Sequence, residues 1–401
     1  MNTTILIVAG MVAAGWTALA ARLIALSRGK WFRFLPPVGE VAGDGPSVDA
    51  IVPARDEEAH IAATVESIRA QEYPALTITV VDDQSTDSTA AILEQLASPS
   101  GARVPLRLVR GTDRPEGWVG KTWAVHQGAS GASGDWLWFV DADMGLHPRA
   151  LASAIAEADR TGADFVSFLP GVRCRTFWQG AIASSFLQLL GQLYPLDRVN
   201  DPGRPEAIAA GGFILVRRSA YDRAGGHRAV CREIIEDIQL ARRVKAAGGR
   251  LSIRLAPALA WTHMYGGFGE IWRGLRKNAY AGMDYMPHKY ATGALIALLL
   301  AWAPWLCLGV GLLGADRRPI AIGIGIWGIA AQALATAPIL LFLDLSPPFA
   351  FTLPAGITAY VAIASASVWH HHRGRILWKG RSISPSTVAA PARDVEDGIE
   401  P

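Results

Sequence analysis

Cysteine is scarce: the 401 residues hold three, Cys174, Cys231 and Cys307, scattered without the spacing of a metal site. This argues against a disulfide framework and fits a reducing compartment. Cys307 stands inside an apolar run and reads as a small packed hydrophobe. Net charge is also small, +3 from 38 basic and 35 acidic residues, so composition gives no case for nucleic acid as a partner. Charged residues make up 18% of the chain and apolar ones 51%, a balance shifted toward membrane proteins. No internal repeat is visible. Most of the acidic residues lie between Glu40 and Asp284, and the flanks are apolar.

Three C-terminal runs lack Asp, Glu, Lys and Arg altogether: Thr292–Ala315, Ile320–Leu343 and Pro348–Trp369. A fourth run, Thr4–Leu26, contains only Arg22, near its end. A helix crosses a bilayer in about 20 residues, so each is long enough to span. The first has no basic stretch before it and no small-residue cleavage site, and it reads as a retained anchor over residues 1–30. Residues 290–370 then form a membrane region of about three segments. Arg28, Lys30 and Arg33 follow the first span and place the central domain in the cytoplasm. Three further spans would carry the basic Arg373, Arg375, Lys379 and Arg381 to the opposite side, which conflicts with the same rule. Pro347, Pro348 and Pro354 make the last segment the suspect. The polar residues 384–401 read as a disordered tail.

Between the flanks, residues 47–285 alternate strand and helix patterns. Val48–Val52, Leu76–Val81, Leu106–Val109 and Trp136–Val140 are short apolar strands; Ile61–Gln71 and Thr89–Leu96 are helical. This alternation predicts an α/β domain with a mostly parallel sheet, whose ligands bind at the carboxyl ends of the strands. Three strands deliver carboxylates to that edge. Trp136–Val140 runs into Asp141-Ala142-Asp143, where carboxylates at i and i+2 can share a hard cation and its phosphate ligands. Asp82-Asp83 precedes Ser85-Thr86-Asp87, which also suits a helix cap.

As a set, Pro53-Ala54-Arg55-Asp56-Glu57, Asp82-Asp83-x-Ser85-Thr86-Asp87, Asp141-Ala142-Asp143 and Glu236-Asp237 resemble, in order and spacing, the family 2 glycosyltransferases. The resemblance implies the GT-A fold and inverting transfer from a nucleotide-diphosphate sugar, with a UDP-sugar the expected donor and Mg²⁺ or Mn²⁺ the cofactor. It puts Pro53, Ala54 and Glu57 at the nucleoside, Asp82 or Asp83 near the base, and Asp141 near ribose and metal. Asp143 becomes the direct metal ligand and Asp237 the catalytic base, with Glu236 beside it at the start of a helix. A base is needed because the acceptor hydroxyl must lose its proton as it attacks. Leu193-Tyr194-Pro195, Asn200-Asp201-Pro202 and Ala209-Ala210-Gly211-Gly212-Phe213 look like the hopene-associated subgroup, as does Gly117-Trp118-x-Gly120-Lys121. That subgroup tends to carry a second Asp where this chain has Glu236.

Lys121, after glycines and before a helix, suits phosphate contact. Arg273-Gly274-Leu275-Arg276-Lys277 resembles the family's Gln/Arg-x-x-Arg-Trp motif for the diphosphate, with Lys277 in place of Trp, which counts against a processive polymer synthase. His263 is a candidate for the metal or diphosphate, and Gly211 and Gly212 bring backbone close to a substrate. Aromatic and basic residues over Phe268–Tyr290 suit a helix at the membrane surface. The expectation is transfer to a membrane lipid, a hopanoid or other isoprenoid, at the cytoplasmic face of a bacterial-type membrane. Polyprenyl-phosphate sugar synthesis and a catalytically silent scaffold are the competing readings.

Overall fold

The computed structural model describes residues 3–27, 34–38, 45–98, 104–262, 267–314, 318–373, 376–378 and 381–383. The strands of the α/β domain are β1 (Val48–Ala54), β2 (Leu76–Asp82), β3 (Leu106–Arg110), β4 (Trp136–Val140), β5 (Met144–Leu146), β6 (Phe165–Leu169), β7 (Gly171–Val172), β8 (Phe213–Arg217), β9 (Leu251–Leu255) and β10 (Ala260–Thr262), and a separate hairpin pairs Ile376–Trp378 with Arg381–Ile383. Seven of them form the main sheet in the order β3-β2-β1-β4-β8-β6-β9. Pairing is parallel except where β8 runs antiparallel between β4 and β6. β5, β10 and β7 make a small second sheet. The expected mostly parallel α/β domain is what forms. β1 and β2 extend past their expected ends, which puts Pro53, Ala54 and Asp82 inside strands, with Ala54 in register with Asp82.

Strand β4, Trp-Leu-Trp-Phe-Val, is buried at every position, which is why its sequence shows no alternation. One face of the sheet is covered by α2 (Ile61–Arg69), α3 (Thr89–Ala97) and α5 (Ala150–Thr161). The other carries α4 (Gly120–Ser130), α7 (Leu196–Val199), α8 (Arg218–Arg223) and α9 (Glu236–Ala246), packed through Val125, Leu240 and Val244. Between these layers and the terminal helices lie α6 (Phe177–Leu193) and α10 (Phe268–Ala279). Thr176 and Gln179 start α6 with a reciprocal capping box.

The membrane part comprises α1 (Thr3–Ser27), α11 (Pro287–Leu313), α12 (Pro319–Leu343) and α13 (Leu353–His372). Among the described residues three helices are long and apolar enough to cross a membrane: Thr4–Leu26, Pro287–Leu313 and Pro319–Leu343. The fourth expected segment, Pro348–Trp369, differs. It opens as a 3-10 turn, Pro347–Phe351, and continues as α13, which carries Thr358, Ser365 and Ser367 and packs against α6 and α10 as well as α11.

A proline ties the spanning-length helices together. Pro304 sits inside α11 and has no N–H to give the carbonyl of Leu300 four residues back. Trp16 Nε1 of α1 donates to that oxygen at 2.9 Å, and Gln332 Nε2 of α12 donates at 2.8 Å. The orphan carbonyl becomes a three-helix junction, as an apolar medium requires.

In the sheet domain, Asn200 closes the edge of the sheet at β9. Ile253 N–H of β9 donates to Asn200 Oδ1 at 2.6 Å, while Asn200 Nδ2 donates to Ile253 O at 3.1 Å and to Leu196 O at 2.8 Å. Asn200→Ala leaves these buried groups unmet and is expected to cost about 2 kcal/mol of stability. Thermal or denaturant melting checks this; an unchanged midpoint would mean the edge is held by packing alone.

Candidate active site

The carboxyl ends of β1 and β2 form one rim of a cavity. Arg55, buried directly after β1, donates from Nη1 to the carbonyls of Asp83 and of Gln84, the latter at 3.0 Å. Across the same gap, Asp56 Oδ1 accepts from Thr86 N–H at 2.7 Å, and Glu57 N–H donates to Thr89 Oγ1 at 2.8 Å. Pro53, Ala54, Glu57 and Asp83 line the cavity. Asp82 does not: it accepts from Ser85 N–H at 3.1 Å and faces Arg110 at 3.8 Å. Of the two neighbouring aspartates, Asp83 is therefore the one placed at the pocket.

The centre of the site is a carboxylate cluster. Asp141 and Asp143 follow β4, and Glu236 and Asp237 open α9; all four line the cavity. Lys121, from the first turn of α4, sits among them with Nζ 2.8 Å from Asp141 and 2.8 Å from Glu236. Burial works against its charge, but Asp141, Glu236 and Asp237 hold its pKa well above the usual lysine range. So Lys121 stands on carboxylates, in a more specific place than a phosphate-binding loop alone suggests. Asp237 is pushed up to about 7, first by burial and then by the charge of Glu236, with Lys121 and the Ile238 N–H opposing. Both its oxygens are fixed: Gly211 N–H donates to Oδ2 at 2.9 Å and Ile238 N–H to Oδ1 at 2.8 Å.

A side chain at Gly211 would crowd the cluster. A Cβ would lie 3.1 Å from Lys121 Nζ and 3.3 Å from Asp237 Oδ2. Gly212 lines the cavity beside it, against Met144. Asp143 is pushed upward by burial and by the Asp141 charge, and it accepts from Thr262 Oγ1 at 3.2 Å. Beneath the cluster His227 is fully buried and hydrogen-bonded to the Tyr221 hydroxyl at 2.9 Å. Burial first, and then Lys121, lower its pKa to about 3, which keeps it neutral.

The remaining candidates divide. Arg273 and Lys277 of α10 line the cavity. Arg276 does not; its Nη1 lies 3.1 Å from His370 Nε2 of α13. His263 falls outside the described residues. Arg55, Thr262 and His227 were not singled out by the sequence. Arg55 lies within a quoted motif, but its role goes to backbone carbonyls that no pattern reveals.

The fold and the clustered carboxylates define a GT-A type transferase. A mannosyltransferase from Pyrobaculum calidifontis, solved in complex with GDP-Man and Mn²⁺, shares the fold at a TM-score of 0.55 and 21% identity, covering 91% of this chain and 98% of its own. Residues 49–225 match the family described as Glycosyl transferase family 2, and this stretch is a glycosyltransferase family 2 domain. A 4,4'-diaponeurosporenoate glycosyltransferase of Staphylococcus aureus strain USA300 is 29% identical over 265 residues, 65% of this chain and 68% of its own. The protein of the same name from the bovine strain RF122 / ET3-1 is 32% identical over 197 residues, 48% of this chain and 50% of its own.

Lys121→Met removes the one cation bonded to Asp141 and Glu236 among the described residues. The variant is expected to lose about 2 kcal/mol at pH 8, since carboxylates left without their partner are costly. At pH 5 the loss shrinks, because Asp237 and Asp143, whose pKa values are raised by burial and neighbouring charge, take up protons, which favours the folded state as pH falls. Melting at both pH values checks this; an equal deficit would mean that Lys121 acts by packing.

Proposed function

We propose that the chain transfers a sugar from a nucleotide-diphosphate donor, a UDP- or GDP-sugar, to the hydroxyl or carboxyl group of a membrane lipid, with inversion. The observation that carries this is the cavity itself. It measures about 1310 Å³, starts among Asp141, Asp143 and Asp237, and continues without a break to Trp16, Leu300 and Ile357 of the membrane helices. A soluble acceptor has no need of such walls. The relatives named for action on diaponeurosporenoate, a carotenoid acid, support the same class of acceptor.

Pro53, Ala54, Glu57 and Asp83 would hold the nucleoside, and Arg273 and Lys277 suit the diphosphate. Asp141 and Asp143 fit a hard divalent cation, being two oxygen donors whose crowding raises the Asp143 pKa; Mg²⁺ typically takes one or two carboxylates and completes its shell with phosphate and water. Among the described residues no three His, Cys, Asp or Glu side chains stand close enough together to hold a metal ion by themselves. When bound, such an ion neutralises charge on the departing diphosphate. Asp237 then serves as base: two N–H groups fix its oxygens, and a pKa near 7 suits proton removal at neutral pH.

Orientation follows from counting spans. With α1, α11 and α12 crossing and α13 held against α6 and α10, the sheet domain and the C-terminal basic residues share one side. Arg373, at the end of α13, then lies on the same side as the sheet domain, which removes the conflict in the charge pattern.

Detergent-purified protein is expected to turn over one donor in a panel of UDP- and GDP-sugars with Mn²⁺ and membrane lipid, and Asp143→Ala to abolish that turnover. No turnover of any donor would favour a scaffold. Asp237→Asn should lower kcat by about 10²–10⁴-fold, and wild-type transfer should fall as pH drops below about 7 while Asp237 takes up its proton. A small effect of Asp237→Asn would point instead to an acceptor that is already a phosphate.

A further inference from the structure

The membrane end of the cavity has a shape and one polar feature of its own. Gly293, Ala297 and Ala301 of α11 recur every four residues and line it, so one helix face stays hollow over about 12 Å. Trp16, Ile357 and Tyr360 close it from α1 and α13. On α6, Gln188 lines the same space while only 3% exposed, and its Oε1 has no hydrogen-bond partner among the described residues. A buried amide oxygen left unmet is unusual in a folded protein. Its position is a junction: Leu189 packs with α1 and α11, whereas Leu190 packs with the core under the sheet.

We infer that this chamber seats the hydrocarbon chain of the acceptor, and that Gln188 accepts a hydrogen bond from the acceptor's polar head at its neck. The inference rests on the lipid-acceptor reading above and adds the residues that select the lipid. The occupant is a lipid chain because the chamber lies between helices of spanning length, has apolar walls, and opens at its other end onto the carboxylates. Small side chains along α11 set its width, so a slender chain fits and a broad one is refused.

The test is equilibrium binding of radiolabelled geranylgeraniol to the full-length protein in detergent, without donor. Gly293→Leu is the informative variant, since a Cβ there meets nothing within 4 Å and the new side chain enters open space without disturbing packing. Gly323→Leu on α12 is the matched control, equally open and away from the cavity. Wild type and Gly323→Leu are expected to bind alike, and Gly293→Leu at least about tenfold more weakly. Wild type should also prefer the alcohol to its methyl ether by about tenfold, the worth of one buried hydrogen bond, and Gln188→Leu should erase that preference. No saturable binding to wild type, or equal binding to Gly293→Leu, would overturn the chamber; a preference retained in Gln188→Leu would overturn the role of Gln188. Because binding is read without turnover, the two levels separate. Binding as expected with transfer to no lipid would sink the lipid-transfer reading alone.

Discussion

Charge crowding at one sheet edge is the constraint on which the rest of this structure depends. Asp141, Asp143, Glu236 and Asp237 converge on a cleft where a single lysine is bonded, and like charges in a low-dielectric cleft repel strongly. The fold answers with fixed dipoles. Asp237 lies in the first turn of α9, where helix N–H groups favour a negative charge, and the Gly211 N–H adds another donor. A second buried cation is avoided: His227, directly below, stays neutral. The result is a cluster in which, among the described residues, four carboxylates share one bonded lysine. The place of Glu236 follows too. Its longer side chain reaches Lys121 from the helix start and leaves Asp237 free to face the cavity.

The membrane part is built to leave space. Helices in lipid associate through small residues and a few hydrogen bonds, since there is no hydrophobic drive between them. Here the bonds collect at one level, on the Leu300 carbonyl freed by Pro304, and the small residues of α11 face the cavity. The bundle is pinned at its middle while its domain-facing end stays open. α6 and α13 complete the wall, with Gly356 close enough to α6 that a Cβ would lie 2.1 Å from the Ala181 carbonyl.

Strand β4 was legible in the sequence because it is an unbroken, fully buried apolar run that leads into carboxylates, and β1 and β2 because they are short, mostly apolar and largely buried, despite Asp49, Thr77 and Thr79. Glu236-Asp237 opening a helix was legible for a related reason, since acidic residues suit a helix start. What escaped depends on contacts distant in sequence. The pairing of Arg276 with His370 joins residues 94 apart, and no local pattern announces it. The antiparallel direction of β8 is set by the long connection before it. α6 was missed because Ser184, Ser185 and Gln188 interrupt its apolar residues; it has neither the continuity of a span nor a clean amphipathic period. α13 also lacks formal charge, and its prolines already set it apart in the sequence; what the sequence could not show is that Ser367 accepts from Tyr280 N–H and Thr358 from Trp302 Nε1, tying it to neighbouring segments.

The nucleotide rim shows why the motif residues come as a block. Asp56 and Gln84 both take the left-handed backbone conformation, with φ of 50° and 56°, although neither is glycine. Such conformations cost on the order of 1 kcal/mol each and persist only where surroundings dictate them. Here they are dictated from several sides: Ser85 Oγ receives the Asp56 N–H at 3.1 Å, Asp113 receives the Gln84 side chain at 2.7 Å, and Arg55 grips the Gln84 carbonyl. The two loops are therefore one rigid unit before any donor arrives. That rigidity is purchased with local strain, and it has a use. A rim that is already ordered loses little conformational freedom when anything binds at it. The sheet end of the cavity is thus knit by polar side chains across a gap between two strands, whereas the end among the terminal helices is apolar and lined by small residues of α11.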